Sequence, residues 1–112
     1  MPLLKIETNV SIDDPQTMIA DCSRAVAEML GKPERYVMVS LQHNPAMYFG
    51  GSDAPLAYLE LKSLGLPEER SGDFSATLCA LTSRHLGVAA DRTYIEFSSP
   101  PRHLWGWNST TF

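Results

Sequence analysis

The sequence predicts a mixed α/β (α+β) domain in which two β-α-β units follow one another and form one sheet, with two helices on one face. Three observations carry this expectation: an alternating run at the start of the chain, two stretches of helical period each closed by a glycine, and the same order of elements in both halves. At 112 residues, 44% of them hydrophobic, the chain suits one compact domain and is short for two. The expected unit is a single domain, 1–112, with an internal pseudo-repeat of about 1–50 and 51–112.

Leu3 to Thr8 sets Leu4, Ile6 and Thr8 against Lys5 and Glu7, the period of a strand with one buried face. Asp13-Asp14-Pro15 supplies an N-cap with proline in the first turn. Ile19, Cys22, Val26, Met29 and Leu30 then recur at helical spacing up to Gly31, which reads as the left-handed C-terminal residue. Tyr36 to Leu41 is apolar on both faces and reads as an interior strand covered on each side. Ala57 to Leu61 is the next strand, a helix follows with Phe74, Leu78, Leu81 and His85 on one face up to Gly87, and Arg92 to Phe97 closes the sheet. Leu30-Gly31 aligns with Leu86-Gly87 and Arg35 with Arg92, and Cys22 and Cys79 fall at similar depths in their helices, at an offset of roughly 56 to 57 residues.

Both helices on one face leave the other face bare. With Tyr36, Met38 and Tyr58 or their neighbours turned to water, that face would expose more apolar surface than a monomer usually carries, so an oligomer is expected. Asn44 to Ser52, ended by a glycine pair, is placed to add an edge strand to a neighbouring subunit. The tail from Pro100 to Phe112 is too aromatic for disorder and is expected to dock, across a subunit boundary if the oligomer forms.

A net charge of −4 with a pI near 5.2 gives no basic footprint for nucleic acid. Lys5 and Glu7 interrupt the first apolar residues, so neither a signal peptide nor a membrane span is expected, and the default location is cytoplasmic, with non-classical secretion open. Cys22 and Cys79 lack metal-ligand or CxxC spacing and read as reduced, buried fillers. His43, His85 and His103 share no ligand spacing either, and neither a metal nor a cofactor is expected.

Met1-Pro2 is the first motif with chemistry in it, though many chains begin this way and the pair alone does not imply catalysis. Removal of Met1 would expose a secondary amine whose ordinary pKa, about 8, lies near the working range of a base and falls further with burial or a nearby cation. Together with the duplicated topology, Gly31-Lys32-Pro33, Phe49-Gly50-Gly51, Ser63-Leu64-Gly65, Asp91-Arg92 before Tyr94-Ile95, and Gly106-Trp107-Asn108 follow in order along nearly the whole chain. The set resembles the macrophage migration inhibitory factor family, in the tautomerase superfamily of N-terminal-proline enzymes.

That resemblance implies a homotrimer with helices outside, sheets lining a central channel, and three active sites at subunit interfaces. It implies Pro2 as the base, Lys32 as the cation for a substrate carboxylate, and Ser63 and Leu64 as the segment that presents a backbone amide to substrate. Tyr94 would come from the neighbouring subunit, and Tyr36, Trp107 and Phe112 would form the aromatic rim. The implied activity is keto-enol tautomerisation of 2-keto acids or related enols such as phenylpyruvate. Such a substrate needs a base beside its acidic C–H, a charge for its carboxylate, donors for the enolate oxygen and an apolar wall.

Two departures stand out. The family's mammalian founder has a CxxC pair where this chain has Leu56-Ala-Tyr-Leu59, so no thiol redox activity is expected. Glu96 stands where the founder has asparagine near the proline; it either raises the amine's pKa and repels an anionic substrate or pairs with a basic neighbour. The rival reading is a secreted, cytokine-like interaction protein with vestigial catalysis, whose receptor is not legible. A chain that kept Met1 would hold only an amide at Pro2 and would act as a binding scaffold.

Overall fold

In the computed structural model, which describes residues 1–112, the first strand, β1 (Leu3–Thr8), buries Leu4, Ile6 and Thr8 and turns Leu3, Lys5 and Glu7 to the opposite face. Helix α1 (Pro15–Leu30) starts at Asp14, whose carboxylate accepts the Thr17 amide at 3.2 Å and its hydroxyl at 2.6 Å. It ends at Gly31 with φ 63°, where the Lys32 amide donates back to the Ala27 carbonyl at 3.0 Å. Its fully buried stripe is Met18, Cys22 and Val26, with Ile19, Met29 and Leu30 only partly covered. A 3-10 turn (Glu34–Tyr36) then leads into β2 (Met38–His43).

The second half repeats this order as β3 (Ala57–Lys62), α2 (Ser71–Leu86), a 3-10 turn (Ala90–Arg92) and β4 (Thr93–Ser98). The sheet runs β2-β1-β3-β4; the outer pairs are parallel, and the central pair, β1 with β3, is antiparallel. One core unites the buried side of the sheet with both helices, joining Leu4, Ile6, Leu59 and Leu61 to Met18, Val26, Phe74 and Leu78. No helix is long and apolar enough to cross a membrane.

The element bounds keep Leu30-Gly31 in line with Leu86-Gly87, set Arg35 against Asp91 and not Arg92, and place Cys22 and Cys79 one position apart in depth along their helices. One residue turns a helix by about 100°, which is why Cys22 is fully buried while Cys79 is only partly covered.

Two further expectations are corrected. The apolar run from Tyr36 is not an interior strand: Tyr36 and Val37 precede β2, and β2 is an edge strand on which Met38 is 66% exposed. The open face is not broadly apolar either. Beside Leu3, Met38, Tyr58 and Tyr94 it carries Lys5, Glu7, Ser40, Gln42, Glu60, Lys62, Glu96 and Ser98, with Lys5 and Glu60 paired at 3.6 Å. Within this chain, Asn44 to Ser52 makes one bridge, Phe49 to Ser52, around Gly50 and Gly51. The tail folds back as a hairpin, β5 (Gly106–Trp107) with β6 (Thr110–Thr111), turning through Asn108 and Ser109 at positive φ.

Candidate active site

Pro2 stands immediately before β1, fully buried, and its carbonyl accepts the Met38 amide at 3.0 Å, which ties the start of the chain to the start of β2. Level with it, the sheet brings Leu3 beside Met38 and Lys62, and Lys62 beside Ser98. Over this end of the sheet opens a cavity of about 670 Å³, within the usual range of small-molecule sites. Its floor is Met1, Pro2 and Leu3; one wall is Arg35 to Met38; the other comes from Lys62, Ser98 and Pro100 with Leu104 to Trp107 of the tail.

The electrostatics favour a neutral amine at this spot. The α-amino group of Met1 is held below its ordinary pKa of 8.0, first by partial burial, then by the charges of Lys32 and Arg102. Lys32 owes its place to the glycine-ended last turn of α1 and is half-buried. On the rim, Tyr36 meets Trp107 edge to face with centroids 5.7 Å apart, and Phe112 stacks on Trp107 at 5.5 Å. The Phe112 amide donates to the Trp105 carbonyl at 3.1 Å, which holds the end of the tail over the site.

Ser63 is buried, and its amide donates to the Ser98 carbonyl at 3.1 Å while its hydroxyl donates to the Leu64 carbonyl at 3.3 Å. The Leu64 amide, next along, donates to no group of this chain. The chain thus gathers Pro2, Lys32, Tyr36 and Trp107 about one cavity, with Phe112 stacked on Trp107 and Ser63-Leu64 following Lys62 off the end of β3.

Tyr94 and Glu96 are not at that cavity. Tyr94 is four positions along β4 from Ser98, about 13 Å at ~3.3 Å per residue. It is 66% exposed and packs on Phe49 at 4.5 Å. With Met47, Tyr48 and Leu56 it lines a second, apolar depression. Glu96 takes no basic partner in this chain. Its carboxylate accepts the Tyr58 hydroxyl at 3.0 Å, and that bond, with partial burial and the charges of Glu60 and Glu96, pushes the Tyr58 phenol up to about 12.

Sequence reasoning missed Arg35, Lys62, Leu104 and Trp105 as cavity residues, and Arg102 beside them. Lys62 had a signal, since it continues the open-face alternation of Tyr58 and Glu60. Leu104 and Trp105 had none, because the 3-10 turn Arg102–Leu104 that aims them carries no periodicity.

A family model described as macrophage migration inhibitory factor matches residues 1–112. The chain is 35% identical over 114 residues to a macrophage migration inhibitory factor homolog of Trichinella spiralis, covering 100% of both chains. It is 33% identical over 116 residues to the macrophage migration inhibitory factor of Xenopus laevis, covering 100% of this chain and 99% of that one. Among solved structures, the macrophage migration inhibitory factor homologue of Prochlorococcus marinus superposes with a TM-score of 0.94 at 42% identity, covering 98% of each chain. The Trichinella spiralis structure does so with a TM-score of 0.93 at 34% identity, over 98% of this chain and 99% of that one.

Proposed function

The chain belongs to the macrophage migration inhibitory factor family, and on that premise we propose that it is a keto-enol tautomerase of the phenylpyruvate type, acting on 2-keto acids or related enols with Pro2 as proton-transferring base. The observation that carries this reading is the position of Pro2: buried, hydrogen-bonded to β2, and on the floor of a cavity where an amine is held below its ordinary pKa.

Removal of Met1 turns the Pro2 nitrogen into a secondary amine facing the cavity. The influences that lower the Met1 amine, burial first and then the charges of Lys32 and Arg102, would act in the same direction on a Pro2 nitrogen freed one residue on and favour its neutral form. The neutral nitrogen takes the proton α to the carbonyl. The C–H electron pair becomes the new carbon–carbon π bond, and the carbonyl electrons move onto oxygen. The protonated proline then returns its proton to that oxygen, giving the enol; ketonisation runs the same steps backwards. Lys32 balances the substrate carboxylate, the unpartnered Leu64 amide is the assigned donor to the enolate oxygen, and Tyr36 and Trp107 form the apolar wall.

The proposed assembly is a homotrimer with helices outside. Tyr94, toward the other end of the sheet from its own chain's cavity, and Glu96, midway along β4, serve a neighbouring subunit's Pro2. The polar open face of the sheet suits a water-filled channel better than a dry interface. Pro2→Gly, which leaves a primary amine in place of the secondary one, is expected to lower phenylpyruvate turnover at least about tenfold; turnover equal to the parent's would remove Pro2 from the chemistry.

A further inference from the structure

The chain has nine Lys and Arg residues, and five of them are engaged elsewhere. Lys5 pairs with Glu60, Arg24 and Arg84 with Asp21, and Arg70 with Asp73, while Arg92 donates to main-chain carbonyls. The remaining four, Lys32, Arg35, Lys62 and Arg102, all gather at the Pro2 cavity. Arg35 and Lys62 line it; Arg102 opens the turn whose Leu104 lines it; Lys32 and Arg102 are close enough to act on the amine at its floor.

None of the four lies within 4.0 Å of a side-chain carboxylate of this chain, and no acidic side chain lines the cavity. Arg35 instead lies over the Tyr36 ring, its guanidinium carbon 4.8 Å from the centroid, and Arg102 donates to the Phe112 main-chain oxygen at 3.4 Å. Both contacts hold a planar donor in place while leaving N–H groups free for an oxyanion. A protein of net charge −4 has acidic side chains in surplus, yet sets none of them against these four cations, and only Arg102 meets an oxygen of the chain, the main-chain oxygen of Phe112. A substrate with a single carboxylate occupies Lys32 and leaves the others unanswered. A Glu96 carboxylate from a neighbouring subunit offsets only one more.

We propose that the substrate carries two anionic groups: a 2-keto carboxylate beside Pro2 and Lys32, and a second carboxylate or phosphate at the opening, held by Arg35 and Arg102. The inference rests on the tautomerase reading for the first group, and the two are separable by experiment. Binding of cinnamate, with one carboxylate, and of 4-carboxycinnamate, with two on the same frame, is measured by calorimetry on the processed full-length protein at low and high salt. Phenylpyruvate turnover is followed in parallel.

The dianion is expected to bind about tenfold more tightly at low salt, as one or two charge-assisted hydrogen bonds would give, with the ratio shrinking as salt rises. Arg35→Gln and Arg102→Gln should each lower that ratio, whereas Lys32→Gln should weaken both probes alike. A ratio near one with active phenylpyruvate turnover, no binding of either probe, or a ratio that both arginine variants leave intact would overturn the proposal. Absent turnover with an arginine-dependent dianion preference would overturn the tautomerase reading and leave the anion recognition standing. The salt dependence of the parent's ratio decides the question even where a variant fails to fold.

Discussion

The proposed reactivity rests on one nitrogen whose surroundings make protonation costly. Burial, Lys32 and Arg102 all depress the amine at the start of the chain, in that order of weight, and a Pro2 nitrogen freed one residue on is expected to feel the same influences. A base must be neutral to act, so activity should rise with pH through its pKa and level off above it. The rising limb of kcat/KM for phenylpyruvate should have its midpoint below about 8. Lys32→Gln removes one source of the depression and the partner of the substrate carboxylate. It should move that midpoint upward and lower kcat/KM about tenfold, roughly 1.4 kcal/mol of transition-state binding. An unmoved midpoint would show that Lys32 does not act on the base.

Arg92 governs the element that carries Phe49. Its guanidinium donates to the carbonyls of Phe49 at 2.7 Å, Ala54 at 2.9 Å, Ser52 at 3.1 Å and Pro55 at 3.3 Å, and so fixes the loop that packs Phe49 against Tyr94. Arg92→Ala should cost about 2 kcal/mol, because several carbonyls lose a charged donor at once. For a chain of this length that is a fall of roughly 8 °C in Tm at fixed protein concentration. A shift under about 2 °C in a thermal melt would deny the clamp its role. Lysine at this position, a point charge without the fork, should recover only part of the loss.

Much of this level was legible in the sequence. Both helices announced themselves by period and by Gly31 and Gly87, which end them at φ 63° and 66°. The strand after α1 was misjudged because its apolar residues divide between two duties: Val39 and Leu41 pack on the core, while Tyr36, Val37 and Met38 line the cavity from an edge. Periodicity reports that a side chain avoids water and is silent on what covers it. The one-position difference that leaves Cys22 fully buried and Cys79 only partly covered was invisible for a related reason, since both cysteines lie inside helical patterns at similar depth. Composition likewise gave no hint that four of nine cations would converge, because they come from four separate elements or their ends.

At the scale of the whole molecule, both sheet edges, β2 and β4, lie unpaired in the single chain. Met38, Tyr48, Tyr94, Leu104 and Trp107 stand half or more exposed, at both ends of the sheet and on the tail. Association would cover these edges and bring Tyr94 to a cavity that its own chain cannot offer it. Sedimentation at micromolar concentration should therefore return three chain masses, against a single-chain mass of 12.4 kDa. A particle of one chain mass would leave the proposed interfacial site without its second half.

The most direct measurement concerns the first two residues. Intact mass identifies whether Met1 is gone, and a spectrophotometric keto-enol assay on phenylpyruvate then compares that processed protein with the same chain still carrying a residue ahead of Pro2. A free secondary amine as base requires the processed form to turn substrate over and the blocked form, whose Pro2 nitrogen is an amide, to fall to the uncatalysed rate. Equal turnover by the two forms would contradict the whole account of the cavity as a proton-transfer site.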